Sequence, residues 1–417
     1  MSAHVSPPFR CDHIGSLKRP TELLAKRKEF DEGKITREEL KQIEDASIKA
    51  EVERQKSCGI KSITDGEFRR HMFWDGFHNN LDGMVIVPNP PREIFKMYVP
   101  DIKAFFESHA EKPGDTMVCQ GKLVRNKPMY RPEFEYLKSI VKPEEVKNIK
   151  LTLAAPEWYH LRHGEHARDH SVYPDEADYF ADLAKAYREE LADLYDAGCR
   201  NVQFDDPLLA YFCSEAMLDG MKAEGVESEP ILDAYIKLYN DCVRDVPKDM
   251  TTGVHLCRGN FKDGLHFSEG GLGRIAVKLF NQLNVDCYYL EYDTERAGGF
   301  EPLEHLPKHK SAVLGLVTSK FPQLENQDEL IKRINEAAGF VAKGSGESHE
   351  EALQRLCLSP QCGFASHAEG ESPHSLFLRI LYSFRSFSRN RQPRQSRRCK
   401  FPSIYHWHDS CSLFTYC

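Results

Sequence analysis

The chain repeats one unit many times: a short apolar run that ends in a polar turn, followed by a charged segment with apolar residues at helical spacing. The runs are "CDHIGS" (11–16), "IKSITDGEF" (60–68), "IKLTLAAP" (149–156), "RNVQFDDP" (200–207), "MTTGVHLC" (250–257), "VDCYYLEYD" (285–293), "SAVLGLVT" (311–318) and "LQRLCLSPQCG" (353–363). Between them lie helical patterns such as 19–30, 35–59, 175–199, 231–246, 270–284 and 326–344, with a weaker one at 301–309. Eight strands alternating with helices predict an α/β fold, a (β/α)8 TIM-type barrel. A doubly wound open sheet shares the alternation, but no glycine-rich dinucleotide loop follows the first strand.

Residues 78–148 break the rhythm. Their proline-rich 87–95 and the hairpin-like run at 117–124 read as an insertion between the second and third strands, placed over one barrel mouth. The barrel is expected over residues 1–372. From Pro373 to Cys417 the chain carries eight Lys or Arg and one acidic residue, with no sustained period, so this basic tail is expected to be disordered, either an arm for acidic partners or a frame extension.

The net charge of −8 argues against nucleic acid as a partner, and no apolar run reaches the roughly 18 residues needed to span a membrane. The first residues lack a signal peptide's basic start and apolar core, so a cytoplasmic location is expected. Oligomeric state is not legible. The 13 cysteines are scattered, and Cys58, Cys199, Cys213, Cys242, Cys287 and Cys357 read as packed thiols.

Barrel enzymes work from the C-terminal ends of their strands. The polar residues there are Ser16, Asp65, Glu67, Asp205, Asp206, His255, Cys257, Glu291, Asp293 and Cys362. His255 and Cys257 stand two apart on a strand and face the same way. With Glu291 and Cys362 they form a nitrogen, sulfur and oxygen set suited to tetrahedral zinc. H-x-C alone is equally compatible with packing, Glu67 with a helix N-terminal acid, and Asp205 with a cap for the next helix.

"DHIGSLKRP", "TDGEFRR" followed by "FWDGF", "VQFDDP", "GVHLCRGNF", "YYLEYD" and "LSPQCGFAS" stand in register across residues 8–368, and here the chain resembles the C-terminal catalytic barrel of cobalamin-independent methionine synthase, most of all the single-barrel relatives. The resemblance implies zinc on His255, Cys257, Glu291 and Cys362. It implies that Glu67 and Asp205 hold the ammonium of homocysteine, and that Ile14, Gly15 and Ser16 hold its carboxylate. The implied reaction moves a methyl group from 5-methyltetrahydrofolate, or a corrinoid or similar donor, to the homocysteine thiol. Two alternatives remain: alkylation of another small thiol, and an inactive zinc-binding relative. The family's D-x-H-S motif after the seventh strand, associated with proton delivery, is replaced here by Val317, Thr318, Ser319 and Lys320, so no proton donor is identified. Trp158 could stack on a flat donor ring or simply pack, since it does not stand at the spacing of the family's folate-stacking tryptophan.

Overall fold

The computed structural model describes residues 6–108, 114–260, 266–321 and 324–365. The tail from Pro373 lies outside the described residues. Two strands, β1 (Asp82–Val87) and β2 (Thr116–Val124), form an antiparallel hairpin inside the expected insertion, which also holds helices Pro100–Ser108 and Arg131–Ile140. Six more strands form one parallel sheet: β3 (Leu151–Ala154), β4 (Asn201–Asp205), β5 (Thr251–Leu256), β6 (Cys287–Glu291), β7 (Ser311–Val317) and β8 (Leu356–Pro360). Each strand pairs with the next in sequence order, so the sheet has no switch point of the kind a doubly wound sheet requires.

The first two expected strands shrink to single bridges at the two edges of this sheet. Cys11 pairs with Leu358 of β8, and Ile63 pairs with Ile149 just before β3. The cause is local. Gln55 donates to the Thr64 carbonyl at 2.9 Å and accepts from its amide at 3.0 Å, so a side-chain amide takes the bonds a ladder neighbour would make. Thr64 Oγ1 in turn donates to the Gly15 carbonyl at 2.9 Å.

Helices cover the sheet as their periodicity predicts. Arg37–Ser57 opens with a capping box between Thr36 and Glu39, and Glu176–Ala197 is capped by Asp175 and closed by left-handed Gly198. The weak pattern at 301–309 is a short 3-10 turn, Glu301–His305, because Pro302 and Pro307 bracket it. Sequence reasoning missed the helices Leu208–Tyr211 and Glu215–Ala223 after β4.

Inside the sheet runs a buried polar network. Lys150 Nζ donates to Asp12 and to Gln203 Oε1, both at 3.0 Å, and the Tyr289 hydroxyl donates to the other Asp12 oxygen at 3.0 Å. Gln203 also donates to the Ile14 carbonyl at 2.7 Å and to Asp205 at 2.6 Å, so the network ends among the candidate site residues.

Candidate metal centre and substrate cavity

In the parallel register Asp205 lies beside His255, and Glu291 beside Gly315, so these residues share the C-terminal rim of the sheet. His255 is the last residue but one of β5 and Cys257 follows the strand, with Leu256 between them directed into the core. Cys362 arrives from the turn after β8. One ring nitrogen of His255 and the two sulfurs lie within 4.8 Å of one another, and all three residues are buried. The Tyr289 carbonyl can only accept, so His255 Nδ1, 3.2 Å away, carries the proton. That leaves Nε2, which is buried with no hydrogen-bond partner, as the nitrogen with a lone pair to offer. A nitrogen and two sulfurs so arranged fit a soft-tolerant ion such as zinc.

Electrostatics favour the same conclusion. A hydrogen bond from Cys257 holds the Cys362 thiol well below its usual range, against the effect of burial, and His255 adds to this. Sharing that proton pushes Cys257 up, with burial acting in the same direction. Both effects favour the thiolate, the form that binds metal, on Cys362 rather than on Cys257.

Glu291, the fourth expected ligand, stands at the end of β6 but outside this group of three. Its Oε2 accepts from the Arg258 amide at 2.6 Å, and its Oε1 accepts from Arg296 Nε at 3.0 Å and Lys320 Nζ at 3.4 Å. Burial alone would raise its pKa; Lys320 and Arg296 outweigh burial and hold it at about 2. Nothing in the sequence flagged Lys320 or Arg296 as partners, because Lys320 belongs to a loop and Arg296 to a three-residue 3-10 turn, Glu295–Ala297.

Glu67 and Asp205 are both buried near the centre. Glu67 follows Gly66 and takes the left-handed conformation at φ 60°, a strained choice for glutamate that aims its carboxylate inward. Its Oε1 accepts from Thr152 at 2.8 Å, while Oε2 is buried without a partner. Burial, with Asp205 adding to it, pushes Glu67 up to about 8, and burial pushes Asp205 up to about 6. A bound ammonium would relieve both. The cap reading of Asp205 does not apply: Asp206 caps the next helix, accepting from the Leu208 and Leu209 amides at 2.7 and 3.1 Å. Thr152 and Gln203, which orient the two acids, carried no sequence signal.

Ile14, Gly15 and Ser16 pass directly beside this site. A side chain at Gly15 would meet Thr152 at 2.5 Å and Glu67 at 3.0 Å, and one at Gly363 would sit 1.9 Å from Ser16 Oγ. Both positions therefore require glycine, and the segment after Cys362 locks onto the first strand segment. The six cysteines read as packing thiols are all buried.

The group of three lines a cavity of about 60 Å³ together with Ile14, Ser16 and Asp205. Aromatic rings line it as well. Trp74 stacks on Trp158 at 4.6 Å, Phe73 meets both edge-on at 5.0 Å, and Phe105 comes from the insertion. Trp74 and Phe73 come from the "FWDGF" segment, quoted above only as a motif.

Residues 9–378 match the family model described as "Cobalamin-independent synthase, Catalytic domain". The chain belongs to the cobalamin-independent methionine synthase family. Within it, the uncharacterized protein YxjH of Bacillus subtilis is 37% identical over 364 residues, covering 87% of this chain and 89% of that protein. The 5-methyltetrahydropteroyltriglutamate–homocysteine methyltransferase of Flavobacterium johnsoniae is 20% identical over 374 residues, 89% of this chain but 41% of that longer protein. Among solved structures, a candidate vitamin-B12-independent methionine synthase from Listeria monocytogenes aligns with a TM-score of 0.68 and 30% identity, over 92% of this chain and 98% of that one. This cobalamin-independent synthase relative also has, among its described residues, no helix long and apolar enough to cross a membrane.

Proposed function

We propose that this chain is a zinc-dependent S-methyltransferase that forms methionine from homocysteine, acting in the cytoplasm. The observation that carries the reading is the pairing, in one cavity, of the His255, Cys257 and Cys362 group with the buried acid Asp205, whose charge acts on the buried Glu67. Bound there, zinc would supply a Lewis-acidic centre that keeps the acceptor sulfur deprotonated at neutral pH. Glu67 Oε2 and Asp205 would take the substrate ammonium, and the backbone from Ile14 to Ser16 its carboxylate, fixing the sulfur end toward Cys257 and Cys362. Glu291 would serve as a fourth ligand only after release from Arg296 and Lys320. The matched family supports closure of the sheet into an eight-stranded barrel, with the segments bridged at Cys11 and Ile63 as its first two staves. It implies 5-methyltetrahydrofolate as the donor.

A structural zinc site is closed by four protein ligands, whereas three ligands beside an open cavity suit a substrate sulfur. That favours an enzyme over an inactive zinc-binding relative. The test is metal analysis of the purified protein together with absorption spectra of its cobalt(II) form. Homocysteine should add sulfur-to-cobalt charge transfer, and methionine should form once a competent donor is present. An unchanged spectrum with no product from any donor would remove the proposal.

A further inference from the structure

Glu67 is not aimed by its own backbone alone. Arg70 is buried beside it, and both terminal nitrogens of its guanidinium are engaged. Nη1 donates to Thr152 Oγ1 and to the Phe73 carbonyl, both at 3.1 Å. Nη2 donates to the Thr152 carbonyl at 2.8 Å and to Glu133 Oε2 at 3.4 Å. A guanidinium can only donate, so Thr152 Oγ1 accepts from it, and the hydroxyl proton of Thr152 goes to Glu67 Oε1 at 2.8 Å. Arg70 itself stays 3.9 Å from that oxygen, too far for a hydrogen bond. Its charge therefore acts on Glu67 without occupying a lone pair. Burial raises Glu67, and Arg70 is the largest effect opposing burial. Oε2 is left buried and without a partner. The arrangement is tied to the insertion as well: Glu133 belongs to the helix Arg131–Ile140, and the guanidinium lies over the Tyr130 ring at 4.9 Å.

We infer that Arg70 is a positioning residue for recognition of the substrate's ammonium group. Through Thr152 it fixes Glu67 so that Oε2 is left free for the ligand, and Glu133 of the insertion holds Arg70 in place. The fork of the guanidinium is essential to this. A lysine keeps the charge, but a single nitrogen cannot bridge Thr152 Oγ1 and the Thr152 carbonyl as two nitrogens set by one plane do. The insertion thereby contributes to the amino-acid site although Glu133 does not line the cavity. The inference rests on the homocysteine reading given above.

The test compares two thiols on the full-length cobalt(II)-substituted protein, with binding followed by the sulfur-to-cobalt band. One is homocysteine, and the other is 4-mercaptobutanoate, which is homocysteine without its amino group. Arg70→Lys should weaken homocysteine at least about fivefold and 4-mercaptobutanoate less than about twofold. Glu133→Gln should shift the preference in the same direction by a smaller factor, and it decides the matter if Arg70→Lys does not fold. In a Glu67→Gln background, Arg70→Lys should leave the ratio between the two thiols unchanged. A purely structural Arg70 would weaken both thiols equally and would go on doing so without Glu67; either result overturns the inference. Homocysteine that binds with its preference unmoved by the variants also overturns it, while the thiol reading stands. If neither thiol produces the band, the thiol reading falls and the inference falls with it.

Discussion

At the scale of single residues, the strand period made the metal pair legible: two side chains two positions apart must share a face. Cys257→Ala should therefore cost most of the bound zinc, measured by elemental analysis. Cys287→Ala should keep it, because Cys287 packs with Ile14, Tyr289, Val313 and Cys357 in a separate apolar cluster. The acids make a different prediction. Glu67→Gln removes one charge opposite the substrate ammonium, worth about 1.5–3 kcal/mol, so KM for homocysteine should rise by roughly ten- to a hundredfold with zinc content unchanged. Thiols without an amino group should not register the change, and if they lose as much as homocysteine does, Glu67 is not the ammonium partner. Glu291 shows where sequence reasoning stops. Its position on β6 was readable, but Lys320, 29 residues further on, was not, because a loop has no period to place it.

At the scale of elements, the long helices and the six paired strands followed from periodicity, and the hairpin inside 78–148 from its flanking turns. The two segments that became bridges did not; in the second, the competitor for the hydrogen bonds of Thr64 was a side chain on a neighbouring helix, Gln55, which no strand pattern can announce. The short helix Leu208–Tyr211 was hidden because "LLAYF" is apolar throughout, so no helical stripe stands out. The sheet interior offers a test of how its strands are tied together. Lys150 and Asp12 are fully buried partners, so Lys150→Met leaves a carboxylate without its cation and should destabilise by about 3–5 kcal/mol in denaturant unfolding. Pairing it with Asp12→Asn should recover much of that loss, and an additive double variant would show that the two do not act as a unit.

At the scale of the whole molecule, burial sets a response to acid. His13, His78 and His163 are each pushed down to about 4, chiefly by burial, from an ordinary 6.5. The unfolded chain binds these protons first, so the stability they contribute is complete above pH 6.5 and is lost as pH falls through 4. Glu67 and Glu133, raised to about 8 and 7 from an ordinary 4.5, act with the opposite sign from pH 4.5 up to those values, a range that overlaps the histidines'. The histidines thus push the melting temperature down between pH 6.5 and 4, and the raised carboxyl groups offset part of that drop. His78→Gln should narrow the drop, and an unchanged slope would exclude His78 as a contributor. The placement of Cys362 has a consequence for the order of events in the cell. It follows the last strand, 105 positions after Cys257, and Gly363 closes against Ser16 near the opposite end of the chain. A polypeptide still emerging from the ribosome has His255 and Cys257 long before it has their partner. On the proposed reading, zinc capture would be a late event of synthesis, and the metal-loaded fraction of a cell extract would count chains translated at least as far as that cysteine.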